Sequence, residues 1–367
     1  MKRGLFLVQL PPPIHGVSVV NHRIVTDTVL AAAVDMHVLS TEYTATLADI
    51  GRFSLRKVVR WLQLLLAFVK RLFEDRPDFV YFTPVVTGAR FALDVPFIAL
   101  AKLFRRRLIL HLHGRGVAER ARYRPWRSLY EFAFSNCALI SASSGMREHE
   151  FSPLRLVGAR KYVIENAVDR VDVDRYRVAA EPGEPARLLF LSATFPAKGI
   201  FVLLSALRLL ADRGVAFRAE IAGASAPALD ESICRTIEAT GLAGVVRATG
   251  ARYGDDKWRS FGRADIFVHP TLNDYFPLVL LEAMQFGLPI VATKVGAIGE
   301  IVEHECNGLV VAPNDAHALA DALERLIPDP ELRRRFGSCS RARYLGRYVP
   351  ERFTAEFRAM LAAEDAL

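Results

Sequence analysis

Apolar runs of strand length recur along the whole chain, each followed by a segment long enough for a helix. The first series is GLFLVQL (4–10), DMHVLS (35–40), DFVYFT (78–83), RLILHLH (107–113), CALISAS (137–143) and KYVIEN (161–166). The second is RLLFLSA (187–193), FRAEIAG (217–223), DIFVHP (265–270), LPIVAT (288–293) and NGLVV (307–311). Most of these runs are continuously apolar rather than alternating, the pattern of parallel strands covered on both faces by helices. Two such series predict an α/β protein of two doubly wound parallel-sheet domains. The stretch VAAEPGEPA (178–186), rich in Pro, Gly and Glu, is the expected linker. The domains are expected at 1–178 and 179–346, with residues 347–367 forming a last helix that packs back on the first domain. At 367 residues, each half is large enough to close a core of its own.

Several function classes are excluded early. The four cysteines, Cys137, Cys234, Cys306 and Cys339, form no CxxC pair; their spacing fits neither a disulfide framework nor a zinc site and points to a reducing compartment. The apolar run at the start is cut by Gln9 and three prolines, so it reads as a first strand over 4–10 and not as a signal peptide. Residues 61–69 are apolar but closed in by Arg60 and Lys70, far short of the roughly 20 residues of a bilayer span. No G-x-G-x-x-G follows the first strand, so a dinucleotide cofactor has no direct support. Charge is unevenly placed: residues 1–180 hold 27 Lys and Arg against 16 Asp and Glu, and the remainder 21 against 24. A basic first half calls for an anionic partner. Nucleic acid is set aside, because neither interleaved aromatics nor a recognisable module accompanies the charge.

In open parallel sheets ligands bind beyond the carboxyl ends of the strands. There the segment DYFPLVLLEAMQFGLPIVAT (274–293) places Asp274 before an aromatic pair and Glu282 eight positions later, inside an otherwise apolar helix. A helix starting near Pro277 turns its free amides and positive dipole end toward the strand tips, as a phosphate site requires. A carboxylate among Leu280, Leu281, Ala283 and Met284 has to be paired or functional, since burying it alone is costly.

This stretch resembles the donor-site signature of retaining glycosyltransferases of the GT-B fold, specifically family four (group 1 type). The resemblance continues through LLFLSATFPAKGI, AEIAG, VVRATGARYGDDKW, LILHLHG, VIENAVD and PPPIHGVS. It implies two Rossmann-like domains facing a cleft, the first binding acceptor and the second binding a UDP- or GDP-linked sugar. It implies that Lys198 neutralises the donor diphosphate, Asp274 addresses the transferred sugar, and Glu282 holds the ribose. His113 approaches the sugar, the backbone of Tyr275, Phe276, Pro277 and Leu278 meets sugar and phosphates, and Gly16 and Gly223 allow close approach of the donor. Neither cofactor nor metal is implied, the nucleotide sugar being a co-substrate. The expected activity is hexosyl transfer to a polysaccharide or lipid-linked acceptor in bacterial surface glycan synthesis. The expected location is cytoplasmic, peripheral on the inner face of the plasma membrane.

The chain departs from the family pattern at Asp274, where Glu is usual, and at Ala193, where a second cation is common. It departs again at His15-Gly16, where Gly-Gly is frequent, and at Asn166–Asp169, where Ala167 replaces Gly. A nucleotide-sugar epimerase on the same fold, or a non-catalytic sugar-nucleotide-binding subunit, are the alternatives. Residue by residue, Glu300 either reaches the donor or caps the next helix, and His15 either contacts ligand or fills the turn. Arg115 is a solvated cation or meets an acidic acceptor. The segment 52–73, with Arg56, Lys57, Arg60, Lys70 and Arg71 bordering an apolar face, is an ordinary helix with a basic edge or a docking surface for an anionic membrane.

Overall fold

The computed structural model describes residues 1–41, 55–178, 183–223 and 226–367. The chain divides into two compact units, one of residues 1–166 with 351–367 and the other of residues 167–350.

The first unit is built on six parallel strands, β1 (Lys2–Val8), β2 (Val34–Ser40), β3 (Phe79–Phe82), β4 (Arg107–Leu112), β5 (Ala138–Ser141) and β6 (Arg160–Val163). They stand in the order β2-β1-β3-β4-β5-β6. Leu5, Phe6, Leu7 and Val8 have no exposed surface, as expected of a strand covered on both faces. Gln9 and Leu10 fall outside β1, which ends two residues short of the expected strand end. The connecting helices are α1 (Gly16–Thr26), α2 (Thr28–Ala31), α3 (Leu55–Glu74), α4 (Gly88–Leu103), α5 (Val117–Arg120), α6 (Arg124–Phe134) and α7 (Ser144–Phe151). Residues 52–54 of the basic segment lie outside the described residues; the rest is α3, which buries Phe68 and Leu72 against the core around Phe97 and Phe82. Residues 351–367, most of them in α15 (Pro350–Ala363), complete this unit. Phe357 packs edge-on against Tyr81, and the buried Glu364 carboxylate is held by Arg160 and by the Tyr162 hydroxyl at 2.6 Å.

The second unit repeats the plan with β7 (Ala186–Leu191), β8 (Phe217–Ala222), β9 (Val246–Gly250), β10 (Ile266–His269), β11 (Ile290–Thr293) and β12 (Gly308–Val311). Their order is β12-β11-β10-β7-β8-β9, all parallel. Its helices are α8 (Ile200–Asp212), α9 (Pro227–Ala239), α10 (Gly254–Arg263), α11 (Leu278–Gln285), α12 (Ile298–Ile301), α13 (Ala316–Leu326) and α14 (Pro330–Arg347). One face of the sheet buries Leu188, Phe190, Ala219, Ile221 and Val246 against Leu203, Leu207, Ile233, Ile237 and Leu323 of the helices. Each such side chain contributes about 1.5–3 kcal/mol on burial.

This unit begins at Ala167, ahead of the linker expected from composition, because residues 167–178 are bonded into it. Gln285 accepts from the Val171 amide at 2.6 Å and donates to the Asp169 carbonyl at 3.0 Å; the Tyr176 hydroxyl donates to Asp255 at 2.8 Å. The expectation of four unpaired cysteines is corrected: Cys306 and Cys339 form a disulfide with Cα atoms 6.2 Å apart. The pair is 33 residues apart in sequence and meets because α14 packs near the entry to β12, which spacing alone does not reveal. The cysteines therefore give no argument for a compartment. Among the described residues, no helix is long and apolar enough to cross a membrane.

Candidate active site

The strand order of the second unit reverses direction between β7 and β10, and a crevice at such a switch point is where open α/β sheets hold ligands. Two loops leave the sheet there, one after β7 and one after β10. They are stitched together at the Ala197 carbonyl, which accepts from the Leu272 amide at 2.9 Å, the Asn273 amide at 3.2 Å and the Thr271 hydroxyl at 3.2 Å. Gly199 makes this approach feasible: its φ is +76°, and a Cβ there would sit 1.9 Å from the Pro270 carbonyl oxygen. Gly296 does the same on the far side, where a Cβ would lie 2.3 Å from the Asp274 carbonyl oxygen.

The clamped loops bring Lys198 and Asp274 into contact, Nζ to Oδ2 at 2.6 Å. His269, the buried last residue of β10, places Nε2 3.2 Å from the same oxygen, while the Tyr275 amide donates to Oδ1 at 3.2 Å. Burial pushes the Asp274 carboxyl up, but the His269 bond and the Lys198 ammonium outweigh it and hold the pKa at about 2. Asp274 is thus a fixed, ionised acceptor, and Lys198 is a cation held at one point. The other ring nitrogen of His269, Nδ1, is buried and has no partner among the described residues.

Beside this trio, α11 begins at Leu278, with Pro277 as its N-cap rather than its first helical residue. Pro277 supplies no capping side chain, and the Phe276, Leu278 and Val279 amides find no acceptor among the described residues. The side chains of Tyr275, Phe276 and Pro277 are buried, so what this segment offers a ligand is backbone. A row of free amides at a helix N-terminus next to an ammonium group suits an anion.

Glu282 lies within α11 with its carboxylate 2.7 Å from Nζ of Lys257 on α10. Burial raises its pKa, Lys257 opposes that shift, and the nearby Asp169 charge adds to it. The structure thus supplies a protein partner that the sequence reading did not assign. Gly223 also has a reason within the protein: a Cβ would meet the Ser192 carbonyl oxygen at 1.8 Å. Glu300 sits in the single-turn α12, its carbonyl accepting from Arg343 at 2.9 Å.

The remaining expected residues belong to the first unit. His15 is the N-cap of α1 in a reciprocal capping box: its Nδ1 accepts from the Ser18 amide at 3.3 Å, and the His15 amide donates to Ser18 Oγ at 2.9 Å. A Cβ on Gly16 would meet nothing within 4 Å, so the helix start is open at that point. His113 follows β4 with its ring 3.9 Å from that of His111, which is bonded through Nδ1 to the Tyr81 hydroxyl at 2.7 Å. Burial, then the neighbouring His15, lowers the His113 pKa to about 3, and its Nε2 has no partner among the described residues. The loop after it, with exposed Arg115, is anchored by the buried Glu150, whose Oε2 accepts the amides of Gly116 at 2.9 Å, Val117 at 2.6 Å and Ala118 at 3.2 Å.

Sequence reasoning thus missed His269, Lys257 and Glu150. A histidine ending a strand just before an acidic loop was the one visible signal. Lys257 lies within the quoted VVRATGARYGDDKW stretch, where nothing marks it as the partner of Glu282, and Glu150 lies outside every quoted motif.

Residues 174–343 match the family model of glycosyl transferases group 1. Among curated proteins, the putative colanic acid biosynthesis glycosyltransferase WcaL of Escherichia coli (strain K12) is 32% identical over 167 residues, covering 43% of this chain and 41% of WcaL. The chain thus spans about two-fifths of that relative's length, and 56% of that of the amylovoran biosynthesis glycosyltransferase AmsK of Erwinia amylovora, which is 25% identical over 61% of this chain. Among solved structures, a sucrose-phosphate synthase from Thermosynechococcus elongatus superposes with a TM-score of 0.75 at 17% identity, covering 99% of this chain and 100% of that one. HepE of Anabaena in complex with UDP-glucose gives a TM-score of 0.71 at 19% identity with the same coverage. These likenesses show the fold, a GT-B arrangement of two parallel doubly wound sheets.

Proposed function

We propose that this chain, whose residues 174–343 belong to the group 1 glycosyl transferases, moves a hexose-type sugar from a nucleotide sugar to a polysaccharide or lipid-linked acceptor, with retention of anomeric configuration. The observation that carries the reading is the Lys198–Asp274–His269 cluster beside the uncapped start of α11, at the switch point of the sheet. Diphosphate oxygens take the Lys198 ammonium and the free amides, while the Asp274 carboxylate, fixed by His269, accepts from hydroxyls of the transferred sugar. Glu282, with Lys257 beside it, takes the ribose hydroxyls. In the first unit His113 is neutral near pH 7, and its Nε2 has no partner among the described residues.

In the reaction, the bond from the anomeric carbon to the diphosphate oxygen breaks and the acceptor oxygen bonds to that carbon from the same face. The acceptor's proton passes to the departing phosphate oxygen. No protein base is required, and stabilising the charge that develops on the diphosphate carries the rate. Lys198 and the α11 amides supply that stabilisation without a metal. A UDP-linked donor draws support from HepE, solved with UDP-glucose, and a glycan acceptor from WcaL and AmsK, named for polysaccharide biosynthesis. The acceptor is brought from an anionic membrane surface by α3, which leaves Leu55, Val59, Leu62 and Leu66 exposed along with Arg56 and Arg60.

Thermal-shift measurement against UDP- and GDP-sugars tests donor binding, and release of nucleotide with and without a lipid-linked acceptor tests transfer. Stabilisation by no nucleotide sugar would overturn the reading; release of nucleotide independent of acceptor would replace transfer with hydrolysis or epimerisation.

A further inference from the structure

A cavity of about 450 Å³ opens in the second unit, against the sheet between β7, β8, β9 and α10. Its position follows from register. Arg187 on β7 pairs with Arg218 on β8, and Glu220 on β8 pairs with Arg247 on β9, so all four lie on one face of the sheet. The opposite face is the apolar one packed by α8 and α9. Ser260 and Arg263 of α10 close the cavity from above. Arg187 and Arg218 are the second residues of their strands, at the end away from the Lys198 and Asp274 loops. At about 3.3 Å per residue, Arg187 lies about 13 Å along β7 from the strand tip.

Charge in this cavity is unbalanced. Arg187 is neutralised by Asp265 through two 3.0 Å bonds. Arg218, Arg247 and Arg263 are exposed and have no hydrogen bond or ion pair among the described residues. Placing like charges on neighbouring strands is unfavourable. A cation on β9 is explained by its being an edge strand, where charge discourages pairing with another chain. That explanation does not reach Arg218, on an inner strand, or Arg263, on a helix.

Glu220 sits among these guanidinium groups and is aimed. Its Oε1 accepts from both the Thr249 hydroxyl at 3.0 Å and the Ser260 hydroxyl at 2.9 Å and stands 3.8 Å from Arg252 Nε, leaving Oε2 with no donor among the described residues. An oriented carboxylate acceptor flanked by free guanidinium groups matches a ligand that carries hydroxyl donors and an anionic group together. We propose that this cavity is a second saccharide site that takes an acidic sugar, with Glu220 Oε2 accepting from its hydroxyls and Arg218, Arg247 and Arg263 binding its carboxylate or phosphate. Guanidinium forks bind either group in bidentate fashion. The site stands on its own geometry and does not rest on the transfer reaction proposed above.

Calorimetric titration of the full chain, saturated with UDP to occupy the first site, tests it with four probes. These are a glucuronate-bearing hyaluronan tetrasaccharide, glucose 6-phosphate, neutral maltotetraose and inorganic phosphate. The expected result is that one acidic sugar binds at least ten-fold tighter than both maltotetraose and inorganic phosphate, the arm that binds identifying the anion. Arg218→Ala with Arg247→Ala should weaken it at least ten-fold, and Arg263→Ala, on the helix rather than the sheet, should weaken it in the same direction. Equal binding of the neutral sugar, inorganic phosphate matching the sugars, or wild-type affinity in the arginine variants would each overturn the proposal.

Discussion

Replacing Asp274 with Asn removes the charge at the centre of the trio while keeping its volume. The carboxyl is held at about 2 against an ordinary 3.8, a roughly sixty-fold difference in proton affinity that corresponds to about 2.4 kcal/mol. Because the folded pKa is depressed, this stability is fully present above pH 3.8 and is lost as pH falls through about 2. The side chain is 14% exposed, so solvent screening takes little from it. Asn can still accept from His269, and Lys198, at 25% exposure, can turn toward water, so the observed loss should approach about 2 kcal/mol at pH 7. For a unit of this size that is a fall of about 4–8 °C in melting temperature. Urea melts of both proteins at pH 7 and pH 3 read the difference directly: protonation of the carboxyl should shrink it by about 1.1 kcal/mol, to about 0.9 kcal/mol at pH 3. Equal stability at pH 7, or a gap unchanged between the two pH values, refutes the electrostatic account. Nucleotide binding gives a second readout. With Asp274 neutral, Lys198 is no longer engaged, so UDP should bind as well as or better than to the wild type. The nucleotide sugar should lose affinity, because its hydroxyls no longer meet a carboxylate.

Lys198→Ala should lower turnover by about 100-fold or more, and steady-state rates with and without EDTA should agree if no metal shares its role. Glu282→Ala should weaken donor binding by roughly 1.5–3 kcal/mol, read by titration in a variant whose fold is checked by circular dichroism; unchanged affinity removes Glu282 from the ribose. Replacing Arg56, Lys57 and Arg60 with Glu should release the protein from anionic liposomes at physiological salt, since each cation at such a surface is worth about 1 kcal/mol. A wild type that ignores those liposomes at low salt would leave α3 an ordinary surface helix. Cys306→Ser with Cys339→Ser should cost about 3.7 kcal/mol in urea melts, as expected for closing a loop of this length, and no loss would mean the pair does not restrain the unfolded chain.

The fold was legible because a parallel sheet covered on both faces leaves a strong mark in sequence. Strands such as FVYF in β3 and IVAT in β11 are apolar at every position, and each is separated from the next by a helix. Strand order is less visible. The orders β2-β1-β3-β4-β5-β6 and β12-β11-β10-β7-β8-β9 put the reversal at different places in the two units, and nothing in composition distinguishes them. The unit boundary was misplaced for a physical reason: residues 167–178 are held by scattered long-range bonds to Gln285, Asp255 and Gly262 rather than by a periodic pattern.

At the candidate site, what the sequence showed were residues out of keeping with their surroundings: a glutamate in an apolar helix, an acid before a proline, a lysine followed by glycine. It could not show how those charges are satisfied without ligand. The rule that a buried charge must have a partner is general, but the partner's identity is a matter of three-dimensional placement. Lys257 is 25 residues from Glu282, and Lys198 is 76 from Asp274. The Lys198–Asp274 pair also bears on what the residues do. A diphosphate that recruits Lys198 has to draw it from Asp274, leaving a carboxylate only 14% exposed with His269 as its remaining side-chain partner. A ligand that also brings sugar hydroxyls to Asp274 replaces the lost contact in the same event. On the proposed function, the pair would favour an intact nucleotide sugar over the bare nucleotide, and loss of the sugar on transfer would let Lys198 return to Asp274 and weaken the hold on the product.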